Sequence, residues 1–204
     1  MTFVLSALLY SLSSNLDNLV VGIAYGIKKI NIKLIPNIVI ATVTSIGTLL
    51  SMSIGRFISK FLPSSMPNIL GAIIIILLGV YFLIQSILKL IKNSKANDLA
   101  LKNITDMIEY AEKSDLDNSN NININEAFIV SLGLTFNNLA TGLAASITGV
   151  NIPITVISTF IFSILLLTLG KVIGNNVFGN IFGKYAPLFS GILLIILGLI
   201  EFFN

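Results

Sequence analysis

The chain has no cysteine, no histidine and no tryptophan. Without cysteine, disulfides and thiolate metal sites are excluded. Without histidine, imidazole zinc sites and histidine-based acid–base catalysis go too. Charge is also scarce: Asp, Glu, Lys and Arg make up 10% of the 204 residues, against about 25% in a soluble domain. Apolar residues dominate instead, at 55%, with a mean hydropathy of +0.96. The few charges cluster between the apolar runs, as they must if those runs cross lipid. This composition is that of an all-α integral membrane protein. The net charge of +3 then reflects lysines in cytoplasmic loops and not a nucleic-acid surface. No nucleotide loop, Gly-rich phosphate cradle or catalytic triad is evident, so an ATP-driven pump and a hydrolase are disfavoured. The chain reads as a non-enzyme that needs no cofactor, with the lipid bilayer as its first partner.

Six apolar runs each approach the ~20 residues of a helical span: about 3–27, 34–58, 68–91, 124–147, 152–173 and 185–203. The first has no basic n-region and is longer than a signal peptide's h-region, so it reads as a retained span. Pro36 falls in the first turn of the second span, where a missing N–H does no harm. Turns are expected at Leu62–Pro67 and Gly149–Pro153, and a Gly/Asn-rich connection at Gly174–Lys184. With both termini outside, the inner loops and flanks hold Lys28, Lys29, Lys33, Lys89, Lys92, Lys95, Lys102, Lys113, Lys171 and Lys184, and the outer ones only Arg56 and Lys60. Ten against two is a positive-inside bias. It predicts both ends outside and a cytoplasmic central loop. Abundant Asn, Ile and Lys fit an AT-rich bacterial coding sequence, hence a multi-pass protein of a bacterial plasma membrane.

The central stretch, 92–123, is the soluble part. Leu101, Ile104, Ile108 and Ala111 recur at helical spacing, and Glu109 and Lys113 form an i,i+4 pair. A short amphipathic helix is expected at about Asp98–Lys113, lying on the membrane surface. Asp117–Asn121 reads as a flexible linker that tethers two halves.

Those halves repeat each other. Ser11-Leu12, Asp17-Asn18-Leu19, Gly22 and Ala24 recur as Ser131-Leu132, Asn137-Asn138-Leu139, Gly142 and Ala144, at a constant offset of 120 residues. Gly55-Arg56 ends the second span as Gly170-Lys171 ends the fifth. Gly71-Ala72 and Leu78-Gly79 in the third correspond to Ser190-Gly191 and Leu197-Gly198 in the sixth. Residues 1–91 and 124–204 are therefore two three-helix repeats. Because three is odd, the second is inverted in the membrane, as in many secondary transporters whose sites lie at the midplane between the repeats.

An ionisable group in mid-span costs about 2.5–3.5 kcal/mol and usually marks a polar pathway. Asp17 is such a group, and Asn137 is its counterpart. Ser13, Ser14, Asp17 and Asn18 cluster within one turn, with Ser6 and Tyr10 continuing the face; Asn15 points toward a different neighbour. Span four offers Thr135, Asn137, Asn138 and Thr141, span two Thr44, Thr48 and Ser51, and span five Ser158, Thr159 and Ser163. Gly22, Gly26, Ala140, Gly142, Ala144 and Ala145 permit close helix approach. One carboxylate with several amide and hydroxyl oxygens suits a small, hard cation. Asp17 is the charged ligand, with Asn18, Asn137, Asn138, Ser14 and Thr44 as neutral ones; Asp17 and Asn137 are the metal-contacting pair. A buried carboxylate also binds protons, which makes exchange against protons a natural coupling. Glu126 opens span four, about three turns before Asn137. It reads either as a cytoplasmic entry point for cations or as an acid stabilised by the helix N-terminus. Glu201, near the outer end of span six, reads as solvated.

The run Asp17-Asn18-Leu19-Val20-Val21-Gly22-Ile23, its echo Asn138-Leu139-Ala140-Thr141-Gly142-Leu143 and the duplicated six-span layout resemble the manganese efflux pump family. The likeness is greatest to its sporulation membrane protein (YtaF-type) branch. It covers the chain apart from the central loop. It implies a six-helix secondary transporter that exports a divalent cation such as Mn²⁺, with midplane acids in spans one and four; here those positions hold Asp17 and Asn137. The alternative is a non-transporting sporulation membrane protein whose polar core only holds the helices together.

Overall fold

A computed structural model describes residues 2–63, 66–92, 109, 111–175 and 179–203. The expected runs become α1 (Thr2–Ser14) and α2 (Leu16–Lys28), α3 (Leu34–Ser59), α4 (Pro67–Lys92), α5 (Ile124–Ile147), α6 (Ile152–Gly174) and α7 (Gly179–Phe202), with two short strands, β1 (Asn31–Ile32) and β2 (Asn121–Ile122). Five helical spans are long and apolar enough to cross a membrane, α1 and α2 counting together as one over Val4–Lys28, and α5, bent by 49° at Asn137, makes a sixth if taken whole. The chain is a multi-pass membrane protein. Its last helix starts earlier than expected, at Gly179, and carries Pro187 inside it.

The helix ends follow local chemistry. Asn123 and Glu126 form a reciprocal capping box at the start of α5, with Glu126 N–H donating to Asn123 Oδ1 at 3.0 Å and Asn123 N–H to Glu126 Oε2 at 2.8 Å. This satisfies two of the amides that a helix start leaves orphaned. Asn151 caps α6 through the Ile154 amide at 3.0 Å. Lys29 closes α2 in the left-handed conformation, φ 57°.

The first span departs from expectation, because it breaks at Asn15. Asn15 does not point to another helix. Its Nδ2 donates to Ser11 O at 2.7 Å and its Oδ1 accepts from Asn18 Nδ2 at 2.9 Å. The side chain thus takes a carbonyl that a continuous helix would pair with a backbone amide, while Asn15 N–H turns to Leu12 O at 3.3 Å. The backbone shifts out of register without leaving polar groups bare in lipid.

Three interhelical seams hold the bundle together. α2 crosses α6 where Gly22 and Gly26 face Gly170 and Gly174; a Cβ at any of the four would overlap a main-chain carbonyl of the other helix. α3 packs on α5 at Gly55 and Gly142, which face Leu143 with Ser146, and Ser51, respectively. α4 packs on α7, where a Cβ on Gly79 would lie 2.9 Å from Gly191 O, and one on Gly191 2.9 Å from Gly79 O. Without a hydrophobic drive between helices in lipid, such close backbone contact is what dispersion can use. Large apolar side chains including Leu50, Phe57, Ile129 and Ile157 remain exposed around the outside, as a lipid-facing surface requires.

The first and last spans meet at the end of the bundle that holds both termini, where Ser6 Oγ donates to Glu201 Oε1. Glu201 is only 5% exposed, which corrects the expectation that it is solvated; the neighbouring helix covers it and supplies a donor. At the opposite end Lys28 pairs with Glu112 and Lys171 donates to Asn31. β1 and β2 pair in parallel there, Asn31 with Asn121 and Ile32 with Ile122. Most of the expected amphipathic helix, including Leu101, Ile104 and Ile108, lies outside the described residues. Residues 111–114 are helical, and Lys113 bonds Glu109 at 2.6 Å. The expected flexible linker is instead a closed turn. Leu116 N–H bonds Glu126 at 2.7 Å, Ser119 N–H bonds Asp115 and Asp117 at 3.0 Å each, and Asn120 N–H bonds Asp115 at 2.8 Å. Its polar residues read as disorder in composition, yet each carboxylate finds backbone amides.

Replacing Gly22 or Gly170 by valine should force α2 from α6 and cost about 1–3 kcal/mol or more, the usual range for overpacking. Thermal unfolding in detergent should show both variants well below wild type. Gly149→Ala has open space around it and should cost less, from its φ of 86° alone.

Candidate ion-binding site

The break at Asn15 sets the site. It places Asp17 in the first turn of α2, where the exposed amides and the positive end of the helix dipole favour a carboxylate. Asn18 N–H donates to Asp17 Oδ1 at 2.8 Å. Asp17 is 2% exposed, so its surroundings are protein groups of the bundle.

Asp17 borders a small cleft with Ser13 and Ser14 of α1, Asn138 and Thr141 of α5, and Ser190 of α7; Phe82 and Leu194 close its apolar side. The cavity volume is about 10 Å³, near the threshold for a single water molecule. Ser13 and Ser190 clamp the wall reciprocally: Ser13 Oγ donates to Ser190 O at 3.0 Å and Ser190 Oγ to Ser13 O at 3.1 Å. Tyr10 Oη lies against the same region, beside Ser14 and Thr141. It is fully buried and has no hydrogen bond of normal geometry among the described residues. The cleft is thus an oxygen-lined pocket with one carboxylate, sized for a dehydrated ion or one water.

The expected ligands divide. Ser14, Asp17 and Asn138 line the cleft. The side chain of Asn137 lies outside the described residues, and its backbone sits at the bend of α5. Asn18 faces α6, donating to Ser163 Oγ at 2.8 Å. Its Oδ1 is buried with no hydrogen-bond partner among the described residues. Thr44 bonds back to Ile40 O and Ala41 O of its own helix at 2.9 and 3.1 Å. Glu126 lies at the Lys28 end, 2% exposed, held by its capping box and by Leu116 N–H. Of the remaining span-five hydroxyls, Thr159 Oγ1 reaches α1, donating to Ser11 Oγ at 3.4 Å, while Ser11 Oγ donates to the Thr155 main-chain carbonyl at 3.1 Å.

Two features escaped the sequence reading. Ser190 was matched only as part of the internal repeat, and its place in the cleft is visible only once α7 lies against the end of α1. Asp115 and Asp117 were assigned to a linker, yet they gather with Glu126, one carboxylate oxygen of each within 4.8 Å of the others. Hydrogen bonds from Ser119 hold the exposed Asp117 carboxyl below the usual range. The acid spacing in the sequence was the available signal.

Comparison with known proteins places this geometry in context. Residues 2–83 and 98–201 match the model of the family described as "Putative manganese efflux pump". The chain is 28% identical over 203 residues to the "Probable sporulation protein YtaF" of Bacillus subtilis (strain 168), covering 95% of this chain and 97% of that protein. No solved structure matches. With matching segments on both sides of the central loop, and a buried acid in the first span, the chain belongs to the manganese efflux pump family.

Proposed function

We propose that this protein is a secondary transporter that exports a small cation, a Mn²⁺-like divalent ion being the leading substrate, with Asp17 as its charged ligand. One observation carries the reading: a buried carboxylate and hydroxyl and amide groups from three different spans converge on one cleft. Asn138, Ser14, Thr141 and Ser190 supply neutral oxygens there. Asn137 sits at the bend of the fourth span.

The packing supports two inverted repeats, 1–91 and 124–204, joined through 92–123. An inverting two-fold that exchanges Ala72 with Gly191 and Gly79 with Gly198 turns the Gly79–Gly191 contact into the Gly198–Ala72 contact, and both occur. It likewise turns the α2–α6 seam into the α3–α5 seam. Broken or bent helices at the repeat interface are where transporters of this build place their sites. The lysine distribution supports both termini outside, a cytoplasmic central loop and residence in the cell membrane.

A second reading, a non-transporting sporulation protein, is favoured by the name of the Bacillus subtilis relative and by the single acid at the cleft. The two separate in proteoliposomes loaded with a panel of cations, with and without a proton gradient. Asp17→Asn removes a charge-assisted contact worth about 1.5–3 kcal/mol, and transport should fall at least about tenfold. Asn137→Asp should raise divalent-ion uptake. Flux unchanged by Asp17→Asn in a correctly inserted protein would sink the transport reading.

Orientation has a clean test, since the chain has no native cysteine. Phe61→Cys should react with an impermeant maleimide added to intact cells, and Asn125→Cys only after permeabilisation. The reverse pattern would invert the topology.

A further inference from the structure

Residues 115–126 carry a pattern that transport through the midplane cleft does not use. Counting Asp115 as the first of twelve, oxygen-bearing side chains fall at positions one, three, five, nine and twelve: Asp115, Asp117, Ser119, Asn123 and Glu126. The seventh is Asn121, the position at which such loops offer a main-chain carbonyl. This is the ligand spacing by which an EF-hand loop wraps calcium, including the glutamate at position twelve. The sixth position, glycine in that pattern, is Asn120. It has φ 56°, a left-handed conformation that asparagine tolerates better than most residues with a side chain. A helical turn, 111–114, leads in, and α5 leads out. We propose that Asp115–Glu126 is a binding site for a Ca²⁺-class divalent cation, separate from the midplane cleft.

The charge balance points to a cation independently of the spacing. Asp115 is 6% and Glu126 2% exposed, and both have a carboxylate oxygen within 4.8 Å of one on Asp117. None of the three has an ion-pair partner among the described residues; the ion pairs at this end, Lys28–Glu112 and Lys113–Glu109, use other acids. The amides of Leu116, Asp117, Ser119, Asn120 and Asn123 orient the carboxylates, but neutral donors do not cancel three like charges. Two of these carboxylates are buried and the third is exposed, and a cation among them would offset their like charges. All the donors are oxygens, and they are numerous, which suits Ca²⁺ better than Mg²⁺, whose small octahedron keeps its waters.

The site is also joined to the membrane helices. Glu126 lies in the first turn of α5, eleven residues before its bend. Ile122, at position eight, is buried in the core with Val20, Val21 and Ile32, and it pairs with Ile32 through the β1–β2 bridge. Ser114, just before the loop, hydrogen-bonds Tyr25 of α2 at 3.1 Å. An ion here would brace the ends of the first and fourth spans together.

Calorimetry on the full chain in nanodiscs, stripped of metal and titrated with Ca²⁺ in excess Mg²⁺, tests the site. One equivalent should bind, within the range of about 10⁻⁷–10⁻³ M that such loops span, and Ca²⁺ should raise the thermal unfolding midpoint. Asp117→Asn, at an exposed side chain, should weaken binding about tenfold or more, as expected when ligand charge is lost. Asp115→Asn combined with Glu126→Gln should abolish both binding and the thermal shift, and Asn120→Gly should preserve them. If the double variant fails to insert, Asp117→Asn and Asn120→Gly decide. Asp17→Asn should bind the same equivalent. Absence of Ca²⁺ binding by the wild-type chain at millimolar concentration would overturn the proposal. So would an equivalent lost in Asp17→Asn but kept in Asp117→Asn, because the ion would then belong to the midplane cleft.

Discussion

In hydrocarbon, every peptide group must find a partner within the protein, and the first span breaks in the middle of it. The bond from Asn15 Nδ2 to Ser11 O makes that break tolerable. It supplies by side chain what the backbone gives up, at the level of the cleft. Without the break, Asp17 would sit in a helix interior with its surrounding amides already committed. With it, the carboxylate has a helix N-terminus of its own, and the end of α1 turns Ser13 and Ser14 toward α7. The candidate site therefore follows from a hydrogen bond made by a residue that does not line it.

The glycine seams provide the rest of the setting. Gly22, Gly26, Gly170 and Gly174 bring α2 onto α6 at backbone contact, and α1 packs against both α6 and α7. Many polar groups in the bundle pair across helices, as Asn18 of α2 with Ser163 of α6 and Asn37 of α3 with Thr168 of α6. Such pairs bind helices in lipid at a modest gain each. The cleft differs because its oxygens come from several spans and surround a carboxylate.

The span limits were legible because twenty-residue apolar runs leave little room for error; α5 matches its expected bounds. The proposed repeat rests on residue identities together with the Gly79–Gly191 and Gly198–Ala72 contacts. The break at Asn15 was not, because an asparagine in a span looks like any other polar residue until its carboxamide is seen to replace a backbone donor. Asp17 stood out as an acid in mid-span, Ser14 by lying within one turn of it, and Asn138 through the correspondence of the fourth span with the first; all three line the cleft. Thr44 and Asn18 were placed with them on helical periodicity, which tells which face a residue occupies but not which neighbour that face meets. Glu201 was misjudged because distance from the span end says nothing of the helix beside it. The loop after Ser114 was misread because composition weighs Asn and Ser as disorder-prone, whereas their spacing decides what they bond.

The parallel bridge between β1 and β2 is only two residues long, yet it lies between the segment that leaves the first span and the segment that enters the fourth. Helices that rock against each other about the midplane move most at their ends, and this end is stitched. Motion that opens the bundle there must either part the stitch or swing both spans about it as a hinge. The lysine-rich end thus carries a backbone bridge between the segments flanking the first and fourth spans, whereas near the termini the first and last helices are joined by a side-chain bond from Ser6 to Glu201.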